Sequence, residues 1–128
     1  MIMKLVLDNR TGPKNLNIIT SDGSLAEAHI LAKRLDGSGH TLLSVQRAKD
    51  DSLMIGGGPK SFIISRTLPD GTSMTLIADS VATGRQEICV GGQFGNFHSR
   101  YVCDEKLMQQ ALIEYYDCKN VSLNWRTD

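Results

Sequence analysis

Three histidines and three cysteines are the residues of this sequence best suited to metal binding or nucleophilic chemistry, and their spacing serves neither. His29, His40 and His98 stand far apart, and no Cys-x-x-Cys or His-Glu-x-x-His occurs. The His-x-Glu with a later Cys-x-x-Cys that marks zinc deaminases is also missing. A nucleophilic cysteine needs an activating base. Cys89 and Cys103 instead lie in the apolar strings Ile88-Cys89-Val90 and Val102-Cys103, where a thiol behaves as a small hydrophobe. His98 is close to Cys103 in sequence, but that separation along an extended segment does not define a dyad. Gly56-Gly57-Gly58-Pro59-Lys60 has the glycines of a phosphate loop without its Gly-Lys-Ser/Thr ending. The strand-like Ser61-Phe62-Ile63-Ile64 follows it, so it reads as a turn between strands. The carboxylates show no paired acid and base. No catalytic, cofactor-binding or metal-binding residue is therefore expected. The alternative is a small enzyme or ligand-binding module whose site only the fold assembles.

The elements that position these residues are legible in part. Ser24 and Glu27 have capping-box spacing, and Leu25, Ala28, Leu31, Ala32 and Leu35 share one face of the helix they open. Lys33 and Arg34 suit its C-terminal dipole, and Gly37 ends it. Ile30 falls off the stripe and is expected to be exposed. Strands are expected at Met3–Leu7, Thr41–Gln46, Ser52–Ile55, Lys60–Leu68 and Ser73–Asp79, the last two joined by the turn Pro69-Asp70-Gly71-Thr72. Glu87–Val90 and Arg100–Cys103 are expected to complete the sheet, with Gly91 to Ser99 connecting them. A second helix is predicted over Asp104–Asp117, with Asp104 as N-cap and Leu107, Met108, Ala111, Leu112 and Tyr115 on its buried face. Ile113 and Tyr116 lie off that face. A short strand, Val121–Trp125, closes the chain. The expected fold is α+β: a single domain over residues 1–128, with an antiparallel sheet of about six to seven strands and two main helices.

Composition narrows the function. The chain has 128 residues, 41% of them hydrophobic and 22% charged, enough for one ordinary core. Fourteen basic residues balance fourteen acidic ones, without the excess positive charge of a nucleic-acid binder. No apolar run approaches a membrane span of about 20 residues, and the opening segment does not read as a signal peptide. Cys89, Cys103 and Cys118 are an odd set without framework spacing, which suits free thiols and a cytoplasmic location.

The stretch Gly91-Gly92-Gln93-Phe94-Gly95-Asn96-Phe97-His98-Ser99-Arg100-Tyr101-Val102 carries three glycines, two phenylalanines and an arginine ahead of a helix, and Leu123-Asn124-Trp125 lies near the end. With Ser52-Leu53-Met54-Ile55-Gly56-Gly57-Gly58-Pro59 upstream, this resembles the first-numbered immunity-protein family of bacterial polymorphic toxin systems. The likeness spans roughly Ser24 to Trp125. It implies a cytoplasmic antitoxin encoded beside its toxin, which fits the lack of catalytic residues; no cofactor, no membrane, no direct nucleic-acid partner and a monomer when free are expected with it. The implied partner is a cognate toxin C-terminal domain, a nucleic-acid deaminase as first expectation, blocked at its active site or substrate groove. The resemblance names no binding residues. Asp50 and Asp51 are candidates for matching a basic cleft, against a solvated turn as the plainer reading. Phe94, Asn96 and Phe97 are the further partner-binding candidates, with core packing beneath the loop an equal reading for the phenylalanines. Trp125 is expected in the core.

Overall fold

A computed structural model describes residues 3–118 and 122–128. The elements run β1 (Lys4–Leu7), β2 (Arg10–Thr11), β3 (Lys14–Asn15), β4 (Ile18–Thr20), α1 (Leu25–Lys33), β5 (Leu42–Ala48), β6 (Asp51–Gly57), β7 (Phe62–Thr67), β8 (Ser73–Leu76), β9 (Arg85–Val90), β10 (Gln93–His98), a single 3-10 turn (Ser99–Tyr101), α2 (Glu105–Tyr116) and β11 (Trp125–Thr127). Seven strands form one antiparallel sheet in the order β11-β8-β7-β6-β5-β1-β4. This is the expected α+β architecture.

Alternation along the strands decides which face is buried. Leu5 and Leu7 stand opposite Val45 and Leu43, these opposite Leu53 and Ile55, and Ile55 opposite Ile64. All seven are fully buried and form one cluster with Ala28, Leu31 and Ala32 of α1 and Met108, Ala111 and Leu112 of α2. Both helices therefore lie on one face. Truncating a central member such as Ile64 to alanine costs about 2–5 kcal/mol by cavity formation. The helices begin where the caps predict. The Ser24 hydroxyl accepts from the Glu27 N–H while the Glu27 carboxylate accepts from the Ser24 N–H, and Asp104 accepts from the Leu107 N–H. Ile30 is exposed, as expected from its place off the stripe.

The segment after residue 85 departs from expectation. Gly91 and Gly92 both have positive φ, 62° and 80°, the pair of left-handed residues that a tight two-residue hairpin turn requires. The chain reverses there at once, and Gln93–His98 pairs residue by residue with Arg85–Val90 as a separate two-stranded ladder. The expected connection is thus a strand, and the hairpin does not extend the main sheet. Arg100 to Cys103 is not a strand either. His98 caps the 3-10 turn by accepting from the Arg100 N–H, and only Cys103 keeps an extended pairing, a bridge to Phe62. The last strand lies at Trp125–Thr127, later than expected, and Val121 falls outside the described residues. The short strands β2 and β3 are two polar residues each, and β4, three residues long, is too short for alternation to mark it in the sequence.

Close packing and a hydrogen bond hold the hairpin to the sheet. A Cβ on Gly56 would meet the Val90 side chain at 2.4 Å, so this glycine is the space into which Val90 packs. At the turn, the Gly92 N–H donates to Thr41 Oγ1 at 2.9 Å. The Thr41 hydroxyl in turn donates to Asp8, whose carboxylate also accepts from the Thr41 and Leu42 N–H groups and from Arg10 Nε. Burial alone raises the Asp8 pKa, but the Thr41, Arg10 and Leu42 hydrogen bonds outweigh it and hold the group below its ordinary value.

Candidate functional site

Asp50 and Asp51 are neighbours with different surroundings. Asp50 is exposed in the turn before β6, whereas Asp51, the first residue of that strand, is 8% exposed. Its carboxylate lies 3.0 Å from Arg47 Nη1. The Tyr115 hydroxyl shares its proton between the Asp51 carbonyl oxygen at 2.9 Å and Oδ1 at 3.0 Å, and accepts from the Arg47 N–H. The Arg47 and Arg66 guanidinium groups lie 4.4 and 5.3 Å from the centre of the Tyr115 ring. Burial and the Asp51 carboxylate push the Tyr115 hydroxyl up to about 12. This cluster ties the end of α2 to the start of β6.

Asp51 and Gly56 stand at opposite ends of β6, so the structure does not bring the acidic pair to the hairpin. Phe94, Asn96 and Phe97 all lie on β10. Phe94 stands opposite Cys89 and Asn96 opposite Glu87, on one side of the ladder; Phe97 projects from the other. Phe94 is 71% exposed. Phe97 is half-buried, and its ring lies over Gly95, where a Cβ would come within 2.6 Å. A groove of about 320 Å³ beside Phe94 is lined by Asp36, Pro59, Lys60, Glu87 and Cys89 among others. Trp125 is half-buried, packed on the core opposite Leu76.

A second concavity, of about 340 Å³, opens where the hairpin base meets β11; it is lined by Arg85, Asn96, Phe97, His98, Arg100, Tyr101 and Arg126. Arg85 opens β9 and faces His98, which closes β10; Arg100 and Tyr101 follow in the 3-10 turn, and Arg126 comes from β11. Each guanidinium is placed by a neutral partner. Arg85 Nη2 donates to the Asn96 carbonyl at 2.9 Å, Arg100 Nε to His98 Nδ1 at 3.2 Å, and Arg126 Nη1 to the Tyr101 hydroxyl at 2.5 Å. Among the described residues, none of the three forms an ion pair, and no carboxylate lines the concavity. Partial desolvation first, and then the charges of Arg100 and Arg85, hold the His98 pKa below its ordinary value. Sequence reasoning missed the arginines because they are far apart in the chain, and a balanced charge total says nothing of placement.

The remaining chemistry-bearing groups are dispersed. Cys89 and Cys103 are buried, and burial and the Asp104 carboxylate push the Cys103 thiol up to about 12, so it keeps its proton at neutral pH. Among the described residues, no group of three or more His, Cys, Asp or Glu side chains could hold a metal ion, and no helix is long and apolar enough to cross a membrane. Compared with family models, curated proteins and solved structures, the chain finds no match.

Proposed function

We propose that this protein is an antitoxin of the immunity-protein type, which binds a cognate bacterial toxin domain through the β9–β10 hairpin and covers that domain's active site or substrate groove. The observation that carries the reading is Phe94, a large aromatic left exposed on a hairpin that glycines fit closely to the sheet. Aromatic anchors of this kind dominate the energy of many interfaces, and a strand-borne anchor costs little ordering entropy on docking. Asn96 lies on the same side of the ladder and supplies a donor and an acceptor. The carboxylates Asp36 and Glu87 line the groove beside Phe94, together with Lys60, and would face the basic cleft of a nucleic-acid deaminase, the toxin class that the family likeness implies. Inhibition by occlusion requires no turnover by the antitoxin.

The test is rescue and co-purification. Cells producing the toxin domain encoded beside this gene should survive when the chain is co-expressed, and the two proteins should copurify. Phe94→Ala should fold normally yet bind at least about thirtyfold more weakly, the loss of about 2 kcal/mol typical of an anchor. Failure to rescue removes the antitoxin reading; rescue with undiminished binding by Phe94→Ala removes the hairpin as the interface.

A further inference from the structure

We infer that Arg85, His98, Arg100 and Arg126 form a binding pocket for the phosphate group of a small phosphomonoester. Three guanidinium groups from separate elements converge on one concavity, and no carboxylate among its lining residues neutralises them. Like charges repel, so an arrangement that gathers them without a counter-ion is suited to a ligand that supplies one. Each arginine spends few of its five N–H donors on the contact that positions it, leaving others to engage oxygen. His98 Nδ1 accepts from the Arg100 backbone and Nε, and its Nε2 lies 3.3 Å from Arg100 Nη2, so the ring holds that guanidinium in place at the pocket.

The geometry selects the class of anion. One carboxylate satisfies one guanidinium fork, whereas a phosphate dianion offers three terminal oxygens to several donors. The volume, about 340 Å³, lies at the lower end of the range for small-molecule sites, about 300–1,000 Å³. A nucleic-acid backbone would call for an extended basic track, and the chain's net charge of zero offers little for one. Phe97 and Tyr101 add aromatic surface to the lining, against which the organic part of a phosphomonoester can lie. The pocket does not depend on what the hairpin docks, so it stands or falls apart from the antitoxin reading.

The full chain, ¹⁵N-labelled and held at constant ionic strength with chloride, is titrated separately with inorganic phosphate, adenosine monophosphate, adenosine and acetate. Saturable shifts at the amides of Arg85, His98, Arg100 and Arg126 are expected with both phosphates, tighter with the monophosphate, and a bound phosphate should raise the His98 pKa. Phosphate without a gain from the monophosphate would overturn the organic half of the assignment. A response to acetate equal to that to phosphate would overturn the anion class, and shifts that never saturate would overturn the site. The double variant R85Q/R126Q, altered at two exposed side chains, should keep its remaining spectrum and lose at least about tenfold in phosphate affinity. Unchanged affinity in that variant would also overturn the proposal.

Discussion

Two tyrosines in this fold each gather two arginines, and they do so to opposite ends. Around Tyr115, Arg47 and Arg66 face a ring whose hydroxyl is bonded to Asp51, and the Asp51 carboxylate pairs with Arg47. Around Tyr101, Arg100 lies 5.9 Å from the ring centre and Arg126 donates to the hydroxyl, with no carboxylate in the lining. The first cluster is largely buried and Asp51 pairs with Arg47, so it fastens a helix to a strand; Arg66, also buried, meets the Tyr115 ring while its Nε lacks a hydrogen-bond partner among the described residues. The second is open to solvent, and its charges face outward. Counting arginines does not separate them; the presence of the counter-ion and the depth of burial do.

The contrast has consequences of graded size. Asp51→Ala removes the carboxylate that pairs with Arg47 and one of the two acceptors of the Tyr115 hydroxyl, the backbone carbonyl remaining, and should lower unfolding free energy by about 2 kcal/mol in a urea titration. A loss under about 0.5 kcal/mol would place the Tyr115 cluster in the same class as the open one. Gly56→Val lies between the two regions. The new side chain collides with Val90, so a cost of about 1–3 kcal/mol is expected, with chemical-shift changes along β9 and β10 and none at Asp51. Changes that reach Asp51 instead would mean the two ends are not independent.

Acid should act on the two ends of the hairpin at different pH. The His98 pKa is depressed in the folded state, so folding favours its neutral ring; this contribution is present above the ordinary value of 6.5 and is lost as pH falls from there through the folded value. Asp8, beneath the turn of the hairpin, is also depressed, but as a carboxylate. Its contribution is present above 3.8 and is lost as pH falls below that through the folded value. Stability followed against pH should show both steps, with His98→Asn removing the upper and Asp8→Asn the lower. The smallest effect is expected from Arg85→Gln or Arg126→Gln, within about 0.5 kcal/mol, since each removes one like charge and no ion pair. A large destabilisation would make these arginines structural, as Arg47 is.

Local rules carried much of the fold. The caps at Ser24 and Asp104 lie within a residue of the helices they predict, and Pro69-Asp70-Gly71-Thr72 joins β7 to β8. Those signals act over a few residues. The hairpin shows where such rules fail: Gly91-Gly92 falls within the expected connection from Gly91 to Ser99, although two consecutive residues with positive φ make the tightest reversal available to a β-ladder. The partner-binding candidates were legible only as residue types. Phe94 and Phe97 look alike in sequence, and strand alternation sends them to opposite sides. Asp51 looked like half of an acidic surface pair because Tyr115, its partner, lies across the fold on α2. The arginine pocket left no trace in the sequence, since its members meet only when hairpin, 3-10 turn and last strand come together.

Because the β9–β10 ladder pairs with no strand of the seven-stranded sheet, the two need not open together. Amide protons of Arg85 to His98 are expected to exchange with solvent through a smaller, cheaper opening than those of β5, β6 and β7, which are released only when the core comes apart. The arginine pocket draws on both bodies, with Arg85 and His98 from one and Arg126 from the other. Anything that fills it staples them together, so its occupancy is legible as slowed exchange along the whole hairpin, including positions the ligand never touches.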